Sequence, residues 1–402
     1  MDQQQQYRPG RAHTSRTYPV IPPIYQTTTF ELDDQAYADI QGAGGLHETW
    51  YSRFNNPTVD AAAAEVARLH GVGPGGADGT RSGQSLIFAS GMAAIATTLV
   101  TLLRAGDTVV ASRQTYGDTD DLLRRDLPAL GVTVIRVDAH DTDAWRQMIT
   151  EHRPAVVYGE TLSNPQLRLL DLPAVAEAAH AVGARFVVDN TFATPFCTRP
   201  LELGADVVVE SATKFLAGHS DVVAGAATTT DRALHEELQR RLITFGGCAD
   251  PHAAFLLWRG MRTFRVRLAE SCRTAAALAD LLAKEPAVRD VVYPGRDDHP
   301  DAEVVRRVMP DASGAMLTVV LHGGDQRAGE VLRRLRVGVE ATSLGGVETL
   351  VSTPFNSSHF NMTDDERLAA GIQPGTLRMS IGLEGEDVLL DDLRQAFDTE
   401  RA

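Results

Sequence analysis

Lysine is almost missing from this chain. Of its 38 basic residues 36 are arginine, and only Lys214 and Lys284 are lysine. Cysteine is scarce as well: Cys197, Cys248 and Cys272 are odd in number and far apart. Their spacing excludes a zinc-binding or disulfide framework and points to a reducing, cytoplasmic setting, with no metal expected. Positive charge is outweighed, because the formal net charge is −15. General binding to nucleic acid or to an anionic membrane therefore lacks the field it needs, although a local pocket for a small phosphate stays open. No apolar run reaches the ~18 residues that a membrane-crossing helix requires. The opening Met-Asp-Gln-Gln-Gln-Gln has no apolar stretch behind a basic one, so it does not resemble a secretory signal. Aromatic residues make up 6% of the chain against 43% hydrophobic residues overall, so the core must be aliphatic.

What is present fits a large α/β protein. The 402 residues exceed the ~100–200 of an ordinary domain, which predicts two or three domains. Residues 1–58 read as a polar, then irregular and aromatic-rich arm that contacts a neighbouring subunit. Between 59 and 245, short apolar strands alternate with helices: 86–88, 108–111, 133–137, 155–158, 185–188 and 207–209 read as strands. Helices read at 60–70, 92–103, 120–130 and 174–182. That alternation predicts a large, mostly parallel sheet covered on both faces. From 246 to 402 the pattern becomes a smaller α+β domain, with one long helix through 252–282 interrupted at Gly260. Strands at 288–293, 316–321 and 377–381 and helices at 327–335 and 387–397 complete it.

Lys214 carries the first chemical signal. Its amine can lose a proton and form a Schiff base, which a guanidinium effectively cannot. It stands after an apolar strand, in SATKFLAGHS, whereas Lys284 lies in a helix tail and reads as an ordinary surface residue. Asp189 ends the run Arg-Phe-Val-Val-Asp, at the carboxyl end of a buried strand where open α/β sheets place ligands. A buried carboxylate needs a cationic or hydrogen-bonding partner. Pyridoxal phosphate offers one, because its ring nitrogen must stay protonated for the ring to withdraw electrons. Ser90-Gly91-Met92 joins a strand to a helix, so the amides of Gly91 and Met92 open an anion site, and Ser211 and Thr213 can add hydroxyls. The Gly-rich stretch at 71–79 follows a helix, contains a proline and opens no helix; it reads as a surface loop rather than a dinucleotide loop.

Seven blocks occur in order: YSRFNNPT, SGMAAI, ETLSNP, VVDNTFATP, SATKFLAGHSDVVAG, SLGGVETL and LRMSIGLE. With them the chain resembles, from about residue 19 to 397, the trans-sulfuration enzymes of cysteine and methionine metabolism. That family includes cystathionine lyases and synthases, methionine γ-lyases and homoserine-ester sulfhydrylases. The resemblance implies an aspartate-aminotransferase-like fold (fold type I) and pyridoxal 5'-phosphate as cofactor. It casts Lys214 as the Schiff-base lysine and proton shuttle, and Asp189 as the partner of the pyridine nitrogen. Tyr116 takes the place of the tyrosine that stacks on the cofactor and handles a proton. Gly91, Met92, Ser211 and Thr213 match the phosphate cradle, and Tyr51 and Arg53 the pair that reaches the phosphate from an adjacent subunit. Arg378 matches the clamp on the substrate α-carboxylate, while Asn164 and Ser343 match residues near the cofactor hydroxyl and the substrate or lysine. A homo-oligomer follows, a dimer of dimers with shared active sites.

The activity implied is α,γ-elimination on a sulfur amino acid of the cystathionine/methionine type, giving a 2-oxo acid, ammonia and a thiol. The rival is γ-replacement, of the cystathionine γ-synthase or O-acylhomoserine sulfhydrylase type. An aminotransferase and a non-catalytic cofactor-binding scaffold are the remaining alternatives. Four positions depart from family patterns. Thr342 stands where cystathionine enzymes commonly have Glu, Trp50 and Phe54 flank the Tyr-Ser-Arg motif where charges occur, and Asp118 replaces the Cys of methionine γ-lyases.

Overall fold

A computed structural model describes residues 19–42, 50–73, 84–356, 363–369 and 371–398. The first 18 residues of the expected arm and positions 74–79 of the Gly-rich stretch lie outside the described residues. The described strands are β1 (Gln84–Phe88), β2 (Thr108–Ser112), β3 (Thr133–Val137), β4 (Val156–Glu160), β5 (Arg185–Asp189) and β6 (Val207–Glu210). They continue with β7 (Gly225–Thr229), β8 (Val288–Val292), β9 (Met316–Leu321), β10 (Val339–Glu340), β11 (Leu350–Ser352) and β12 (Thr376–Ser380).

Contacts divide the chain into two interleaved units. The first takes 1–101, 209–213 and 221–262; the second takes 102–208, 214–220 and 263–402. In the first unit, β1 pairs antiparallel with β7, Leu86 opposite Ala227. The helix Pro57–Leu69 begins where Asn56 caps it, accepting from the Thr58 amide at 2.9 Å, with proline at the first helical position. Its buried face carries Ala62, Val66 and Leu69.

In the second unit, β3, β2, β4 and β5 run parallel in that order, Val110 opposite both Ile135 and Val157, and Tyr158 opposite Val187. Every residue of β4 is buried, as continuous apolar runs demand of strands covered on both faces. The edge strand β3 is buried only at Val137. A five-stranded sheet, β10-β11-β12-β9-β8, belongs wholly to this unit; only its β10–β11 pair is parallel. Its core joins Leu317 and Val319 of β9 and Leu377 of β12 to Leu278 of the helix Phe264–Leu282 and Leu389 and Leu393 of the helix Glu386–Phe397.

Two expectations need correction. The long helix through 252–282 is two helices, Pro251–Met261 and Phe264–Leu282, and the break falls at Arg262–Thr263 rather than at Gly260. Gly260 is buried inside the first of them, where a glycine costs only ~1 kcal/mol against alanine. The stretch 120–130 is not a regular helix. A short α-turn leads at Leu122–Asp126 into a π-helical segment. The structure also adds helices Thr142–His152, Arg232–Phe245 and Ala302–Val308, and the antiparallel strand β7. Among the described residues no helix is long and apolar enough to cross a membrane.

Candidate active site

Each unit carries its own group of the residues singled out in the sequence. In the first unit, β6 ends at Glu210, whose carboxylate lies 2.7 Å from the ring Nε2 of His70, both side chains buried. That contact fixes the residue immediately before Ser211. Ser211 in turn packs on Gly91, the first residue of the helix Gly91–Leu102. A Cβ built on Gly91 would fall 2.8 Å from the Ser211 Cβ, so the position admits only glycine. Ser90 caps the same helix, its Oγ accepting from the Ala93 amide at 3.1 Å. Gly91 and Met92 therefore supply the first amides of a twelve-residue helix, the positive end of its dipole. The Thr213 hydroxyl donates to the Ala224 carbonyl at 3.1 Å and accepts from its amide at 2.9 Å.

Tyr51 and Arg53 lie in the same unit. Tyr51 meets Phe54 edge-on and bridges to Thr29, while Trp50 stacks on Phe54 with centroids 4.9 Å apart. The Arg53 guanidinium lies over the Phe54 ring and donates to the Ile243 carbonyl at 2.8 Å.

In the second unit, Glu160 and Asp189 end the adjacent parallel strands β4 and β5 and stand opposite one another in register. They are 6% and 7% exposed. Asp189 accepts the Thr191 amide at 2.9 Å, and Glu160 accepts the Tyr116 amide at 2.5 Å. Burial, then the charge of Asp189, pushes the Glu160 carboxyl well above the usual range, against the Tyr116 amide and Arg136. Glu160 therefore holds its proton more tightly than a free carboxyl does.

Lys214 donates from Nζ to the Ser343 Oγ at 2.7 Å. Ser343 has φ +78°, a left-handed conformation uncommon outside glycine, asparagine and aspartate. Its carbonyl accepts from Arg378 Nη2 at 2.9 Å. Two residues on, Gly345 also has positive φ, and a Cβ there would stand 2.5 Å from the Phe215 nitrogen and 2.8 Å from the Lys214 carbonyl carbon. Its amide donates to Ser380 Oγ at 2.8 Å. The loop therefore lies against the backbone of the lysine it serves.

Arg378, on β12 and 6% exposed, donates through Nη1 to Asn164 Oδ1 at 3.3 Å. Its Nε is buried with no hydrogen-bond partner among the described residues. A buried unsatisfied donor on a cation is expensive, so this atom calls for an anionic acceptor. Burial, opposed by Tyr116, lowers the Arg378 guanidinium to about 10. Burial, then the charge of Arg378, lowers the Lys214 amine to about 8. Tyr116 caps the turn Gly117–Asp121 and donates from Oη to Asp118 Oδ2 at 2.9 Å. Burial and Asp118 push its phenol up to about 12, against the pull of Arg378, so it stays protonated and able to donate.

The structure thus brings Lys214, Ser343, Arg378 and Asn164 together by hydrogen bonds, and Tyr116, Glu160 and Asp189 by a hydrogen bond and strand register. Sequence reading missed Glu160, which lies inside the ETLSNP block but shows its role only through its opposition to Asp189. It likewise missed that Asp118 holds the Tyr116 phenol.

These features fit pyridoxal phosphate. The Gly91 cradle at a helix N-terminus suits a phosphate. An amine poised near neutrality suits the aldehyde, and a buried carboxylate suits a protonated ring nitrogen. Residues 4–398 match the sequence profile of the Cys/Met metabolism PLP-dependent enzymes. An L-methionine gamma-lyase of Pseudomonas putida is 38% identical over 381 residues, covering 94% of this chain and 92% of that protein. A cystathionine gamma-lyase of Bacillus subtilis is 36% identical over 391 residues, 97% of each chain. A crystal structure of cystathionine gamma synthase from Xanthomonas oryzae pv. oryzae in complex with cystathionine has a TM-score of 0.87 and 36% identity, covering 98% of this chain and 97% of that one. With its profile matched over residues 4–398 and relatives 36–38% identical over nearly their whole length, the chain belongs to the pyridoxal-phosphate-dependent enzymes of cysteine and methionine metabolism.

Proposed function

We propose that this chain catalyses α,γ-elimination on a sulfur amino acid of the cystathionine/methionine type, releasing a 2-oxo acid, ammonia and a thiol. The observation that carries the reading is the Lys214 amine, lowered to about 8 and held by Ser343, an amine fit to act as nucleophile and as base near neutral pH. Pyridoxal phosphate, when bound, supplies the electron sink that stabilises negative charge at the substrate carbons. Lys214 would hold the cofactor through Nζ and, as a free amine, would carry protons, accepting them from Cα and Cβ of the substrate and delivering one to the γ-carbon after the thiol has left. Asp189 keeps the ring nitrogen protonated. Arg378 grips the substrate carboxylate with its unsatisfied Nε, while Asn164 and Ser343 hold the guanidinium through its two terminal nitrogens. Tyr116 hands the proton on Oη to the departing sulfur, turning away from Asp118 to do so. Gly91, Met92, Ser211 and Thr213 hold the phosphate.

The γ-lyase names of the Pseudomonas and Bacillus relatives support elimination. The second reading, γ-replacement, is favoured by the synthase structure. Both use the same residues, so products decide. Incubation with methionine, cystathionine and acylated homoserines, with and without added thiol, is expected to give 2-oxobutanoate without thiol. Strict dependence on thiol, with no 2-oxo acid in its absence, would assign replacement instead.

The same reading makes 1–58 an arm, 59–245 the cofactor-binding domain and 246–402 the C-terminal domain of a cytoplasmic dimer of dimers. Tyr51 and Arg53 then reach the phosphate of an adjacent subunit. Analytical ultracentrifugation is expected to show a tetramer, and a fully active monomer would overturn the shared site.

A further inference from the structure

The turn that carries Lys214 is built around a second cation. Phe215 and Leu216 are each 2% exposed, so their carbonyls need buried donors. Both find them in one side chain: Arg267 donates from Nη1 to the Phe215 carbonyl at 3.1 Å and from Nη2 to the Leu216 carbonyl at 3.3 Å. Its Nε donates to Thr263 Oγ1 at 3.2 Å, which sets the plane of the guanidinium. Arg267 is 6% exposed and sits in the first turn of the helix Phe264–Leu282, on a rigid base. The turn then closes over it: the Gly218 amide donates to the Lys214 carbonyl at 2.8 Å. Gly218 has φ +71°, and any side chain there would overlap the Arg267 guanidinium. On the other side Gly345 leaves no room between itself and the Lys214–Phe215 peptide. The backbone of the lysine is clamped between a forked donor and a glycine.

We propose that Arg267 is a positioning residue for the reaction, fixing the Lys214–Gly218 turn so that the Lys214 amine stands where it attacks the cofactor aldehyde and later moves the proton. The inference rests on the reading of Lys214 as the attachment point. A planar fork makes two parallel bonds to consecutive carbonyls, which the single ammonium of a lysine does not reproduce. Burial lowers the Arg267 guanidinium only to about 10, so it remains a cation at neutral pH. Arg267→Lys therefore keeps the charge and loses the geometry.

The test measures covalent attachment of pyridoxal phosphate to stripped full-length protein, followed by absorbance against time and pH, then fixed with borohydride and located by peptide mass. Label on Lys214 of the parent establishes the underlying reading; a parent without it overturns that reading rather than this one. With the label in place, Arg267→Lys and Arg267→Gln are expected to attach the cofactor about tenfold to a hundredfold more slowly, the usual cost of a reacting group displaced by roughly an ångström. Turnover should fall with them while the KM for the amino acid holds within about twofold. A merely structural role would lower the melting temperature without slowing attachment in the folded fraction. Attachment by Arg267→Lys at the parent rate and with the parent pH midpoint overturns the proposal. If neither arginine variant accumulates as folded protein, Thr263→Val, which removes only the acceptor that orients the guanidinium, decides alone. Slower attachment upholds the inference, and the parent rate overturns it.

Discussion

Replacing Lys214 by arginine is expected to abolish covalent cofactor attachment and to cut turnover by at least ~10³-fold, since in the proposed reaction one side chain serves as both nucleophile and proton carrier. Arginine keeps the positive charge and much of the length but does not lose its proton at working pH. The fold should hardly notice. Lys214 is only partly buried, and its amine donates to the hydroxyl of Ser343, an exposed residue. Thermal melting of the apo-protein, measured beside kcat, separates chemistry from unfolding. The parent enzyme adds a pH signature. Because burial and Arg378 lower the amine to about 8, its reactive neutral form is the minority below pH 8 and the majority above. The attachment rate should rise with pH and level off above about 8. A lysine at its ordinary value of ~10.4 would still be climbing there.

The second large effect is expected from Asp189→Asn. The variant is close to isosteric, so the loss is charge rather than packing. Breaking a buried charge pair by removing one partner costs ~3–5 kcal/mol, which corresponds to roughly 10²–10⁴-fold in kcat if the pair forms with the ring nitrogen. The apo-protein should respond in the opposite sense. The charge of Asp189 is what, after burial, drives the Glu160 carboxyl upward, and the two residues face each other across β4 and β5. With a neutral amide in place of the carboxylate, that repulsion disappears, so the apo-protein should melt no lower than the parent. The stabilisation gained on adding pyridoxal phosphate should shrink. Activity near the parent level would remove Asp189 from the site. A large loss of apo-protein stability would make it a structural residue instead.

Lys214 and Asp189 were legible in the sequence for a chemical reason. A chain that writes arginine 36 times and lysine twice draws attention to each ionisable amine that it keeps. An acid that closes the run Phe-Val-Val-Asp is costly unless something binds it. The parallel strands were legible because strands buried on both faces are continuous apolar runs. β7 escaped the reading because Gly-Ala-Ala-Thr-Thr has neither large β-branched residues nor an alternation, and Gly225 is small because its Cβ would collide with the Ser90 carbonyl. The helix Thr142–His152 buries only Trp145 and Ile149, too few apolar positions to show a period. Arg267 is one of 36 arginines, and nothing local separates it from those at the surface. Its role comes from a turn 49–53 residues earlier in the chain, and such long-range pairing leaves no trace in spacing. The same holds for Glu160, whose chemistry depends on which strand lies beside it.

The most direct test is the mass of the protein after incubation with pyridoxal phosphate and borohydride reduction, in a Lys284→Arg background where Lys214 is the one remaining lysine. The account predicts one cofactor fixed per chain, on the peptide containing Ser211 to Gly218, and none when Lys214 is also replaced by arginine. Cofactor fixed elsewhere, or retained in full without Lys214, would contradict it.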